Sequence, residues 1–508
     1  MKELLLAHDL GTTGDKASLF TSGGTLLASA FHPYGTRYER PGWAEQDPAD
    51  WWEAVRVSTH RLLLEAGRAP ADVAAVGFSG QMMACLPVDV AGHPLTAAII
   101  WADQRARREA EWLRERVGTE EVYRITGHRA SPSYTAAKLL WQRAHYPELK
   151  EATHRILQPK DYVAYRLTGV MATDYSDASG TNLFDLKERR WSEPIMERLE
   201  LPMEILPPAL PSSTIIGGVT REAAEATGLA IDTPVAIGGG DGACATVGAG
   251  VVRPSDAYNY IGSSSWISIV SAEPLYDPEQ RTFTFAHLDP RYFFPTGTMQ
   301  CAGGSYDWLD RLLRGAEGEP LYRELDALAA SVPAGAKGLL FLPYLIGERS
   351  PHWNPNARAC FVGLTMAHGR AEIARAVLEG VALNLRTILG AFRQQGARID
   401  GLRVIGGGAR SDLWRQILAD VLDVPLLRPR LAAEATALGA AIAAGVGVGL
   451  LPDYGAATDW VAVGPGEMPQ PEAVAGYDKL YPLFVAAYKA LSPLFERLAD
   501  YTEGGKKA

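Results

Sequence analysis

The 508-residue chain carries 49 Lys and Arg against 59 Asp and Glu, a formal charge of −10, with 47% hydrophobic and 21% charged residues. That length exceeds one compact core and calls for two or three domains. The acidic balance lacks the basic footprint of a nucleic-acid binder and is repelled by an anionic membrane surface. No stretch reaches the roughly 18 apolar residues of a membrane-spanning helix, and the start, MKELLLAHDL, is not built as a signal peptide. Four dispersed cysteines, Cys85, Cys244, Cys301 and Cys360, form no CxxC pair and read as reduced thiols of a cytoplasmic protein.

From the N-terminus, the apolar runs LLLAHDL and KASLF flank the turn GTTG, and TLLASAF follows as a third strand. A helix is predicted from Asp47, with Asp47 as N-cap and Pro48 at the first helical position. VAAVGFSG is then a buried strand ending in a Gly turn. This β-β-β-α-β order opens an α/β domain. The second half begins alike: DAYNYI and WISIV flank GSSS, and LRVIGGG is a strand feeding the helix SDLWRQILADVL. Two Gly-Ser/Thr hairpins half a chain apart fit an internal duplication of fold; independent Gly-Ser turns are the alternative. The expected units are residues 1–250 and 251–508.

Four places carry candidate chemistry. In the first hairpin, Gly11, Thr12, Thr13 and Lys16 offer turn N–H groups, hydroxyls and a cation to a phosphate, with glycines free to take φ > 0 where needed. Asp9, at the end of the first strand, could hold Mg²⁺ through water. Gly262, Ser263 and Ser264 repeat the pattern, and neither turn is a GxxxxGK[ST] loop. Asp241 follows three glycines at the start of a small-residue helix, where an ionised carboxylate is stabilised and could take a proton from an attacking hydroxyl; a plain N-cap is the other reading. Gly406 to Gly408 end a strand where a flat base could lie, or where strand and helix merely turn tightly.

Taken in order, these motifs resemble the FGGY carbohydrate kinase family. GLTMAHGRAEIARAVLEG fits one family signature through Gly363, Leu364, Glu372, Ile373, Ala376 and Glu379. SYTAAKLLWQ fits the other around Lys138 and Trp141, departing at Gln142. FLPYLIGERSPHWNP, LQPKDYVAYRLTG and TDYSDASGTNLFD are family-like, and xylulokinase is the most similar subfamily. The resemblance implies two ribonuclease H-like domains flanking a central cleft, ATP and Mg²⁺ as cofactors, and Asp241 as catalytic base. It implies ATP contacts at Gly11, Thr12, Thr13, Lys16, Gly262, Ser263, Ser264, Gly407, Gly408 and Ala409. Gln81, Met82 and Met83 stand where xylulokinases carry Gln-Met-His, and Asp241-Gly242 where they carry Asp-Asn. Trp101, Asp103 and Arg105 are further sugar-pocket candidates, a surface turn being the alternative. The expected reaction is phosphorylation of D-xylulose to D-xylulose 5-phosphate; gluconate, ribulose or a tetritol is the alternative substrate. A non-metabolic ATPase switch or a silent sugar sensor is the alternative class. A homodimer is expected only because dimers are common.

Overall fold

The computed structural model describes residues 3–314, 320–429 and 434–504. Strand β1 (Leu4–Leu10) has apolar residues on both faces, as a strand covered on both sides requires. It pairs antiparallel with β2 (Gly14–Thr21), which pairs antiparallel with β3 (Leu26–Pro33). Helix α1 (Pro48–Ala66) starts as expected: Asp47 accepts from the Ala49 N–H, and Pro48 opens the helix. Strand β4 (Val73–Gly80), buried throughout, joins β1 in parallel. Beyond it lie β5 (Ile215–Gly218) and β6 (Pro234–Ala236), giving the order β5-β6-β4-β1-β2-β3. Helix α2 (Asp241–Gly248) follows.

The second sheet repeats this plan. Strands β7 (Asp256–Ile261), β8 (Ser265–Ile269), β9 (Phe283–Ala286) and β10 (Phe293–Met299) precede helix α3 (Gly303–Arg314). Helix α4 (Arg370–Gln394), strand β11 (Gly401–Ile405), helix α5 (Asp412–Leu422) and strand β12 (Leu426–Pro429) come next. Helix α6 (Ala435–Gly447), strand β13 (Val463–Pro465) and helix α7 (Pro471–Gly504) end the chain. The order is β9-β10-β8-β7-β11-β12-β13. In both sheets the first strand pairs antiparallel with a hairpin partner on one side and parallel with a later strand on the other. The duplication is therefore one of topology.

Each sheet is covered on both faces. On the first, Leu4 and Leu6 pack with Trp51 and Val55 of α1, while Leu5, Ala7 and Ala75 pack with Val247 of α2 and Ala440, Ala441 and Ala444 of α6. A helix from the second half thus lies on the sheet of the first. The approach is close because both surfaces are small: a Cβ at Gly77 would sit 2.4 Å from the Ala440 carbonyl oxygen, and one at Gly439 would sit 2.1 Å from that of Cys244. On the second sheet, α4 and α5 cover one face, with α7 packed against them; Tyr258, Tyr260 and Trp266 occupy the other.

Candidate active site

A cavity of 630 Å³ opens between the two sheets, and Asp241, Thr436, Ser263 and Ser264 all line it. Strand β1 carries Asp9 to the point where the chain turns into β2. The Thr436 hydroxyl, at the start of α6, donates to the Asp9 carboxylate. Burial raises the Asp9 pKa, opposed by that hydrogen bond. Lys16, the ladder partner of Asp9, sets its ammonium 2.7 Å from Glu434.

Side chains from four segments grip the first turn. Tyr34 donates to the Gly11 carbonyl at 2.6 Å, and Gln46 to that of Thr12 at 2.7 Å. Gln81 braces Gln46 at 2.7 Å, and the Trp101 indole N–H reaches the Thr12 hydroxyl at 3.0 Å. Neither Gly11 nor Gly14 uses a positive φ. Gly14 is needed for space: a Cβ there would meet the His32 carbonyl oxygen at 2.5 Å.

Asp241 owes its place to Gly238. That residue turns at φ 71°, and a Cβ on it would lie 1.9 Å from the Phe78 carbonyl oxygen; only glycine fits. Gly240 is the N-cap, so the reading of Asp241 as cap shifts by one residue: Asp241 is the first residue of α2 and accepts from the Gly242 N–H at 2.7 Å. Burial, then the charge of Asp9, push the Asp241 pKa up to about 7. A carboxylate so poised takes and returns a proton near neutral pH.

The second turn rests on backbone. The N–H groups of Ala302 and Gly304 donate to the Ser263 carbonyl at 2.8 and 2.9 Å, and that of Gly303 to the Gly262 carbonyl at 2.9 Å. Beside it, Tyr260 and Trp266 stack at 4.1 Å, and the Trp266 indole N–H donates to the Tyr258 hydroxyl at 2.8 Å.

The structure brings Met82, Met83, Trp101, Asp241, Ser263 and Ser264 to one cavity. Asp9, Gly11, Thr12, Thr13 and Lys16 are not among its lining residues; they adjoin it through Thr436 and Trp101. Three sugar-pocket candidates, Gln81, Asp103 and Arg105, lie outside the cavity lining. Gln81 is buried and serves as a brace. Asp103 is fully buried, accepting from the Ala44 N–H and Arg105. Arg105 pairs with Asp103 and Glu45, each at 2.7 Å, beneath the Trp43 ring at 3.6 Å. Asp103 and Arg105 thus form a buried ion network just after Trp101 in sequence rather than a surface turn. Gly407, Gly408 and Ala409 form a short 3₁₀ turn after β11, outside the lining, where a Cβ on Gly407 would meet nothing within 4 Å.

An aromatic wall of Phe283, Phe285 and Phe294, and Arg349 beside it, escaped the sequence reading. The strand TFTFAH alternates as such a wall must, but alternation marks a core strand equally well. The signature residues prove architectural. Lys138 is buried, its pKa pushed down to about 7 by burial, and it donates to the carbonyls of Met83 (2.7 Å) and Ser133 (2.6 Å). It thereby secures Met83 at its φ of 65°. Glu372 accepts from Gly369 and Lys337, and Glu379 from Arg375, Tyr477 and Gly335.

Sequence models of the FGGY family of carbohydrate kinases match the chain, the N-terminal domain over residues 4–248 and the C-terminal domain over residues 257–448. The chain is 38% identical to the xylulose kinase of Escherichia coli K12 over 420 residues, 82% of this chain and 84% of that protein. Among solved structures, the xylulose kinase of Rhodospirillum rubrum superposes with a TM-score of 0.90 at 33% identity, covering 97% of this chain and all of the other. The gluconate kinase of Lactobacillus acidophilus superposes with a TM-score of 0.92 at 28% identity, covering 97% and 99%.

Proposed function

Because the chain belongs to the FGGY family of carbohydrate kinases, we propose that it transfers the γ-phosphate of ATP to D-xylulose, giving D-xylulose 5-phosphate. The observation that carries the reaction is Asp241: a carboxylate lining the cavity, with a pKa near 7, across from a serine-bearing turn of the second sheet. Asp241 accepts the proton of the attacking sugar hydroxyl as the new O–P bond forms and ADP leaves. The turns at Gly11, Thr12, Thr13 and at Gly262, Ser263, Ser264 hold phosphoryl oxygens, and Lys16 balances their charge once it parts from Glu434. The open surface at Gly407, with Gly408 and Ala409, takes the adenosine end.

Mg²⁺ suits this arrangement. Asp9 and Asp241 are two desolvated carboxylates, the charge of Asp9 is felt at Asp241, and the Thr436 hydroxyl adds a hard oxygen donor. Bound near Asp9 through water, the ion would neutralise charge on the β- and γ-phosphates. The free, mostly buried cysteines accord with a cytoplasmic setting.

The choice of D-xylulose rests on similarity to xylulose kinases. Met83 and Gly242, both lining the cavity, offer the sugar no side-chain hydrogen bond, which keeps gluconate as the second reading. The test is ADP release with Mg-ATP across D-xylulose, D-ribulose, L-xylulose, L-ribulose, gluconate, erythritol and glycerol. A kcat/KM highest for D-xylulose is the expected result. A higher value for gluconate moves the substrate and keeps the reaction; ATP hydrolysis indifferent to every sugar overturns the kinase reading.

A further inference from the structure

Beneath the Gly238–Gly240 loop lies a charged cluster that the chemistry above does not use. Lys160, Asp161, Asp174 and Asp177 are all fully buried or within 1% of it. The Lys160 ammonium stands 2.6 Å from Asp161, 3.0 Å from Asp174 and 3.1 Å from Asp177. Burial opposes the Lys160 charge, but the three carboxylates prevail and raise its pKa well above the usual value. A buried ion cluster is weak evidence of stabilisation, because desolvation consumes much of the Coulombic gain. Where its hydrogen bonds lead is more informative.

They lead to the loop that carries Asp241. One oxygen of Asp174 accepts from the Ser176 hydroxyl at 2.6 Å and from the Ser212 hydroxyl at 2.7 Å. With its proton committed to Asp174, the Ser176 oxygen accepts from the Gly240 N–H at 2.9 Å. Gly239 lies against the same pair: a Cβ on it would fall 3.0 Å from the Ser176 oxygen and 3.5 Å from the Asp174 carboxylate. Gly240 is the N-cap of α2, one bond in sequence from Asp241. The Ser212 hydroxyl also binds Asp174, but Ser212 meets the loop through its backbone, the carbonyl accepting from the Gly238 N–H at 3.0 Å, a contact that an alanine at 212 keeps.

We propose that Lys160, Asp174 and Ser176 are positioning residues for Asp241: Lys160 anchors Asp174, Asp174 orients the Ser176 hydroxyl, and Ser176 fixes the Gly240 N–H. The relay rests on the reading of Asp241 as proton acceptor. It touches no substrate, and it acts by keeping the carboxylate within reach of the attacking hydroxyl, where a misplacement of about 1 Å costs on the order of 10²-fold in rate.

Ser176→Ala and Ser212→Ala provide the test, since each removes one hydroxyl from the same carboxylate and only the first releases Gly240. Turnover, KM for Mg-ATP and for the sugar, and thermal unfolding are measured on the full-length enzyme, with Asp241→Ala alongside. The relay requires Ser176→Ala to lower kcat about 10-fold while both KM values stay within about twofold. Ser212→Ala, with a comparable loss of thermal stability, then keeps kcat within about twofold of the parent. Equal kcat in the two serine variants, with Asp241→Ala inactive, overturns the relay and leaves the base assignment standing. Full turnover in Asp241→Ala overturns the base assignment and the relay with it. If Ser176→Ala fails to fold, Ser176→Cys, which keeps the volume with a weaker acceptor, is read against the same outcomes.

Discussion

The two halves repeat one strand order but secure their equivalent turns by different means. In the first half, Tyr34, Gln46, Gln81 and Trp101 hold the Gly11–Gly14 turn through side chains from separate segments. In the second, the Gly262–Ser264 turn sits on backbone N–H groups at the start of α3. The first brace depends on the identity of its side chains; the second depends on the lack of one, since a Cβ on Gly303 would fall 2.4 Å from the Gly262 carbonyl oxygen. The carboxylates are not shared evenly: Asp9 and Asp241 both precede residue 250, while the second half gives the cavity most of its serines and aromatic rings, and Arg349. On the proposed function, the repeated fold puts the proton acceptor in the first half and shares phosphate binding between the turns of both.

The sharpest way to break that division is Asp241→Ala. Turnover in an ADP-release assay at saturating Mg-ATP and sugar is expected to fall by roughly 10²–10⁴. A rate near that of the parent would take the proton acceptor out of the first half altogether.

The pH profile sharpens it. Asp241 must be ionised to accept a proton, and burial together with Asp9 holds its pKa at about 7. The kcat/KM is therefore expected to fall about tenfold per pH unit below that value and to level off above it. Asp9→Asn removes a negative neighbour, lowers the Asp241 pKa and moves this acid limb to lower pH, whatever its effect on the maximal rate. An unmoved limb would mean that the two carboxylates do not act on each other.

The contrast between seam and turn is measurable as stability. Gly439→Ala forces a methyl group against the Cys244 carbonyl where α6 meets α2, and thermal unfolding should show a loss of about 1–3 kcal/mol. Gly407→Ala meets nothing within 4 Å at an ordinary φ and should stay within about 0.5 kcal/mol of the parent. Among the changes to the site itself, the smallest effect is expected at Ser264→Ala. With the turn held through backbone, losing one hydroxyl should raise KM for ATP about 2- to 10-fold, the equivalent of roughly 0.5–1.5 kcal/mol; a collapse of activity would mean that the second turn also works through its side chains.

The sequence carried the fold well where local rules agree. The Asp47-Pro48 start, the two hairpins and the buried strand VAAVGFSG all appear in place, because capping chemistry, turn residues and apolar runs are local properties. The site was legible where glycine constrains the chain: Gly238 to Gly240 announced Asp241. It was not legible where tertiary packing decides. Arg105 and Asp103 look like any charged turn until Trp43 and Glu45 enclose them. Phe283 and Phe285 alternate as core residues do, and nothing local tells a cavity wall from a core face. The placement of α6 was hidden for the same reason: an Ala-Gly helix packs wherever backbone can come close, and its sequence does not name its neighbour.

That placement has a thermodynamic consequence. The chain leaves the first sheet after α2, builds most of the second, and returns with α6 to cover Leu5, Ala7 and Ala75 before going back to form β13. The first half therefore cannot close its own interior. A fragment ending at residue 250 would leave one face of its central strands bare to water, and a fragment starting there would carry an apolar helix with nothing to lie on. Because α6 ties the first sheet to the second half, heating is expected to melt both sheets in one calorimetric transition.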